Sequence, residues 1–179
     1  MTAPGRPRLA AFGVDYLLIL LYMGLLAASS FIVAPTLAHL DTPWQTQLLG
    51  FMTLTLPVTL YFAVSEGVVG ATLGKRVFGL VVTDLSGAPL PLERSLARSA
   101  VKFVPWELGH TAVHRLVFWT AEGEPLPSWQ VGFLGIFYAL SLLLAAWFTF
   151  SLFLGERRTF YDRIAGSRVQ TRVSSRRFA

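Results

Sequence analysis

The stretch VGFLGIFYALSLLLAAWFTFSLFL, Val131 to Leu154, carries no charged residue. At ~1.5 Å rise per residue, a helix of that length crosses the ~30 Å hydrocarbon core of a bilayer. Leu9 to Ala34 is of similar length and holds one acid, Asp15; Gln47 to Val69 is charged only at Glu66, near its end. With 54% hydrophobic and 14% charged residues, the chain is too apolar for an ordinary soluble domain. It reads as one integral membrane domain over residues 1–179. Arg6 and Arg8 before an apolar run, with Thr36-Leu37-Ala38 after it, invite a signal-peptide reading. The run is too long for that, and Asp15 falls inside it.

Charge placement sets the expected topology. Lys and Arg mark cytoplasmic loops beside membrane spans. Arg6 and Arg8 precede the first run, and Lys75, Arg76, Arg94 and Arg98 follow the second. Arg157, Arg158, Arg163, Arg168, Arg172, Arg176 and Arg177 follow the last. The connectors 35–44 and 122–128 hold neither Lys nor Arg. Three crossings would put the arginine-rich tail outside. A fourth crossing through the polar segment 99–121 restores the pattern. The expected fold is therefore an all-α, four-span helical bundle with both termini cytoplasmic. Its third span is polar, and a re-entrant path or an interfacial helix is the alternative. The net charge of +5 then points to anionic lipid headgroups rather than nucleic acid.

TLGKRVFGLVV, Thr72 to Val82, is echoed by TFYDRIAGSRV, Thr159 to Val169, at an offset of 87 positions, and each follows an apolar run. The echo suggests an internal duplication, 1–94 and 95–179, related by an axis along the membrane normal. The β-branched residues and the turn Leu85–Pro89 predict short extended segments at RVFGLVV and RIAGSRV, paired with each other on the cytoplasmic side. Lys75, Arg76 and Arg163 are expected to anchor them at lipid phosphates. GVVGATLGKR is not a P-loop, because Val69 stands where a glycine is required and Arg76 where Ser or Thr is required.

Arg8, Asp15, Tyr22 and Ser29 recur every seven residues and share one helix face, which must point into the bundle. Asp15 is expected either to pair with an arginine and lock helices, or to act as a proton or cation site. Glu66 is a matching partner for Arg76 or Arg8. Glu107, His110, Thr111 and His114 share one side of a helix. They suit a polar packing face, a proton or cation path with Asp15 and Glu66, or ligation of a divalent metal by Glu107, His110 and His114. Pro57 with Thr53, Thr55 and Thr59 suggests a kinked span, while Pro105 and Gly109 suggest a break in the polar helix. Gly135/Ala139 and Ser141/Ala145 suit close helix contact. There is no cysteine, and no motif argues for an enzyme or a resident cofactor.

Arg8-Leu-Ala-Ala-Phe-Gly-Val-Asp15, GATLGKRVFGLVV and TFYDRIAGSRV together resemble the RDD family of bacterial membrane proteins, named for one arginine and two aspartates. The resemblance matches Arg8 to the arginine, Asp15 to the first aspartate and Asp162 to the second. It implies a small multi-span membrane protein, with transport of an unknown ligand or sodium/proton exchange as the suggested activity. The leading expectation is a cation- or proton-coupled transporter acting as a homo-oligomer. The competing one is a non-transporting scaffold or assembly partner whose buried charges serve packing and lipid contact.

Overall fold

The computed structural model describes residues 2–33, 40, 42–121 and 123–172. Residues 34–39 and 41 of the first connector, Glu122 of the second, and Arg176 and Arg177 of the basic tail lie outside these. Helix α1 covers Gly5–Val33, α2 Pro43–Gly50 and α3 Leu56–Val68, with a π-helical turn at Phe51–Thr55 joining the last two into one rod. Then come α4 (Leu73–Val77), β1 (Leu80–Asp84), α5 (Leu92–Thr120), α6 (Ser128–Ser151), α7 (Phe160–Ile164) and β2 (Ser167–Thr171).

Among the described residues, three helices are long and apolar enough to cross a membrane: Gly5–Ile32, Pro43–Val68 and Ser128–Ser151. They follow the three apolar runs of the sequence. The polar segment 99–121 lies almost wholly within α5, an unbroken helix of 29 residues that reaches ~43 Å at 1.5 Å per residue. The fold is thus a helical bundle with three apolar spans and one long polar helix, not four spans of one kind. Helix α5 packs between α3 and α6, so its polar residues are sheltered by apolar neighbours. Only 17% of the α1 window and 11% of the α6 window is buried, which leaves their leucines and phenylalanines for lipid.

The spans are shaped by identifiable residues. Thr42 begins α2 with a capping box: its hydroxyl accepts from Gln45 N, and the Gln45 side chain accepts from Thr42 N. The expected kink near Pro57 takes the form of the π-helical turn, a common way for a helix to absorb an irregular hydrogen-bond pattern. Tyr22 donates to the Thr53 carbonyl there, at 2.5 Å. Pro105 does not break α5; Ser141 of α6 donates to its carbonyl at 2.7 Å. Small residues bring α3 and α5 together: Gly67 lies against Leu92 and Ser95, and Ser95 donates to the Ala63 carbonyl at 2.8 Å. Gly135 and Ala139 face outward instead, with nothing near Gly135.

The core has two parts. Ile19, Val58, Phe62 and Phe103 fill the bundle interior. Ala3, Ala11, Leu80, Val82, Leu90 and Val169 fill a cap at the end carrying β1 and β2. The strands pair antiparallel, with Val82 opposite Val169 and Leu80 opposite Thr171, and Ala3 N donates to the Val169 carbonyl at 2.7 Å.

The echoed stretches fold alike, though they are only partly extended. Thr72 and Thr159 each cap a five-residue helix, accepting from Lys75 N and Asp162 N. Such a cap favours a helical turn where β-branched residues alone would suggest a strand. Gly79 (φ +62°) and Gly166 (φ +54°) then turn the chain through the left-handed region into the strand. Each matching feature is displaced by the same 87 positions as the sequence echo.

Candidate functional site

Five elements deliver charged side chains to one buried place beneath the cap. Helix α1 supplies Arg8, α3 supplies Glu66, α5 supplies Arg98, and α4 and α7 supply Lys75 and Asp162. Arg8 Nη2 donates to Asp162 Oδ2 at 2.6 Å. Arg98 donates to Asp162 Oδ1 through Nη2 at 2.8 Å and Nε at 3.0 Å. Through Nη1, Arg98 also bonds Glu66 Oε2. Lys75 Nζ closes the series on Glu66 Oε1 at 2.8 Å. The order Arg8–Asp162–Arg98–Glu66–Lys75 alternates sign at every step, and each residue is at least nine-tenths buried. Burial alone would push the Asp162 carboxyl up, but the Arg98 and Arg8 guanidinium groups outweigh it and hold it well below the usual carboxylate range.

Asp15 belongs to the same end but, among the described residues, has no ion-pair partner. Its carboxylate accepts from the Thr72 hydroxyl at 2.6 Å, from Gly74 N at 2.8 Å and from the Tyr61 phenol at 2.9 Å. The expected arginine partner is replaced by a cradle of neutral donors. The cause is a close approach of α4 to α1: a Cβ on Gly74 would run into the Ala11 carbonyl and the Asp15 carboxyl. Glu66 likewise finds Lys75 and Arg98, not Arg76 or Arg8. Lys75 is buried in this chain of charges, so of the three expected lipid anchors only Arg76 and Arg163 face outward.

Glu107, His110 and His114 lie elsewhere, on α5 about 13 Å or more along the helix from Arg98. Glu107 accepts from the Thr55 hydroxyl, and His110 Nδ1 stands 3.4 Å from Glu107 Oε1. The His110 and His114 rings pack edge to face, 6.2 Å apart. Nearby, Gln47 donates to Thr111 at 2.7 Å and accepts from Arg115 at 2.7 Å. Trp44 under Arg115, and Trp119 against Trp129, mark this as the bundle end opposite the cap, where an aromatic belt suits the membrane surface. Among the described residues, no three His, Cys, Asp or Glu side chains are grouped to hold a metal ion.

Between α1 and α6, with α5 as its floor, runs a cavity of about 270 Å³. Arg8, Lys75, Arg98 and Lys102 line it, and among the described residues no acid does. Lys102 Nζ lies 3.3 Å from the centroid of the Phe62 ring and over Phe12 and Phe103. The sequence reading passed over Arg98 and Lys102 as site residues. The available signal was Arg94, Arg98 and Lys102 at every fourth position, one stripe down α5. Arg94 completes it by donating to the Ala165 and Gly166 carbonyls at 2.7 and 2.6 Å.

The RDD family model matches residues 2–166. The chain belongs to the RDD family. No curated protein and no solved structure matches the chain. All three residues matched to the family's name, Arg8, Asp15 and Asp162, sit in the buried end just described. Family membership and the apolar spans place this RDD protein in an inner or plasma membrane.

Proposed function

We propose that this RDD protein is a non-transporting membrane scaffold, in which the buried charges fasten a cytoplasmic cap to a four-crossing bundle with both termini inside. The observation that carries this reading is that Asp15, Glu66 and Asp162 each have their carboxylates engaged by donors fixed on other helices. A carrier's acid must exchange its partner for the transported ion. These acids sit in arrangements that specify geometry, the best-attested use of buried ion pairs. The fourth crossing is supported by the placement of α5 between two apolar helices and by the charge pattern of the connectors. An internal duplication is supported by the two helix–glycine–strand units and by their parallel docking, α4 on α1 and α7 on α5.

Cation- or proton-coupled transport by an oligomer is the second reading. It is favoured by one observation: in the half-buried Glu107–His110–His114 array, Glu107 accepts from the Thr55 hydroxyl and, among the described residues, is paired with no Lys or Arg. Proteoliposomes separate the two. The scaffold reading expects Na⁺ and H⁺ flux no greater than in protein-free liposomes. Flux that Asp15→Asn or His110→Ala abolishes in a properly folded variant would establish the transporter and end the scaffold reading.

A further inference from the structure

We infer that the cavity between α1 and α6 is a binding site for one anionic membrane lipid. The site takes the lipid phosphate against Lys102 and the guanidinium edges of Arg8 and Arg98, and the lipid's first methylenes against Phe12, Trp106 and Phe148.

Three features converge on that occupant. The first is charge. Four cations line the space, while Glu66 and Asp162 lie behind them, already engaged by Arg8, Lys75 and Arg98. Among the described residues Lys102 Nζ has no hydrogen bond and no ion pair, only aromatic rings beside it, and the four cations meet just two carboxylates in their ion pairs. A phosphate accepts from several such donors at once. The second is the wall. Beyond the cationic floor, the lining is mainly aromatic and aliphatic, from Leu9 and Phe12 of α1 to Ala145 and Leu152 of α6. Water-soluble anions gain nothing from such a wall, whereas an acyl-bearing one buries its chain there. The third is access. Leu9, Ala145 and Thr149 at the rim are exposed on the two helices with the most lipid-facing surface. The two helices come together at the cap, where Gly5 lies against the Leu152 carbonyl and the Phe153 ring. The opening therefore faces the hydrocarbon, in the leaflet that meets the basic end of the bundle. Basic pockets between spans at that depth are a recognised form of headgroup site. At about 270 Å³, the space fits a headgroup and the start of a chain, with the rest of the lipid remaining in the bilayer.

The test uses the full chain, purified and delipidated in a neutral detergent, with its melting temperature followed by tryptophan fluorescence. Phosphatidylglycerol is expected to raise the melting temperature by on the order of 5 °C at saturation. Phosphatidylcholine and inorganic phosphate alone are expected to leave it unchanged. Native mass spectrometry should retain one phosphatidylglycerol per chain. Lys102→Gln should abolish both effects, and Lys102→Arg should retain them. Because Lys102→Gln also alters packing over Phe62, Ala145→Phe provides an independent check: it fills the groove from an exposed position and leaves every cation in place. It should run as a single peak on size exclusion and lose the phosphatidylglycerol response. Equal shifts with phosphatidylcholine, an equal shift with phosphate alone, or an undiminished response in folded Ala145→Phe would each overturn the assignment. None of these results depends on whether the protein transports ions.

Discussion

Arg8 in the first turns of α1 donates to Asp162 in α7 across 2.6 Å, joining residues 154 positions apart in the sequence. This bond, with the Arg98 bonds to the same carboxylate, ties the start of the bundle to the cap. Asp162→Asn leaves two guanidinium groups facing a neutral amide, and breaking a buried pair from one side costs roughly 3–5 kcal/mol. The expected outcome is a strong fall in melting temperature in detergent and earlier proteolysis of the segment from Thr159 onward. Replacing the exposed Arg163 on the same short helix should change neither measurement appreciably.

The same carboxylate gives a signed pH dependence. Its folded-state pKa is depressed, so its stabilisation is fully present above the unfolded-state value, ~3.9 for Asp. It is lost as pH falls below that value toward the depressed one. Wild type minus Asp162→Asn should therefore show a constant difference in melting temperature between about pH 5 and pH 8, shrinking only in stronger acid. A difference that instead grew on acidification would mean that the carboxyl is neutral in the folded protein.

Asp15→Asn tests the cradle. The carboxylate accepts three hydrogen bonds at once, whereas an amide turns two hydrogens toward donors already pointing at it. Loss of charge-assisted bonds of this kind costs about 1.5–3 kcal/mol each, partly offset by relief of carboxylate desolvation. The variant should be less stable in detergent and its α1–α4 contact looser, read as faster amide exchange at Gly74. Unchanged stability would count against a packing role for Asp15.

What the sequence revealed and what it hid follow from the range of the interactions. The echo at Thr72 and Thr159 is local chemistry repeated, so pairing of the two segments was legible from the residues. Their helical first halves were not: each rests on a Thr cap, whereas the β-branched residues that follow point to a strand. The seven-residue spacing placed Arg8, Asp15 and Tyr22 on the inward face of α1, but Ser29 of the same series is exposed and donates to the Leu26 carbonyl of its own helix. The spacing could not assign partners: Arg8 reaches a residue at the far end of the sequence, and Asp15 is met by backbone that arrives only because Gly74 has no side chain. Arg98 was read as a mark of topology, since its two carboxylates come from separate parts of the chain. The polar helix was legible over most of 99–121, but its start at Leu92 and its unbroken course past Pro105 were not; nor was whether Glu107 and the two histidines face Asp15, and the structure sets them toward the opposite end.

Gly74 and Gly79 make a paired prediction, because the two glycines of LGKRVFG serve different needs. Gly74 has ordinary helical backbone, but its missing Cβ admits the Ala11 carbonyl and the Asp15 carboxyl. In Gly74→Ala, α4 must therefore move away from α1. Overpacking of that sort costs about 1–3 kcal/mol, and here it also lengthens the bond from Gly74 N to Asp15. Gly79 has open space around it but a φ of +62°, so Gly79→Ala incurs only left-handed strain of about 1–2 kcal/mol. The effect of adding Asp15→Asn distinguishes them. Combined with Gly74→Ala it should be clearly less than additive, since both changes break one contact. Combined with Gly79→Ala it should add, as expected for independent sites. Additivity at both positions, measured by melting temperature, would separate Asp15 from the α1–α4 contact and leave the cradle without a structural role.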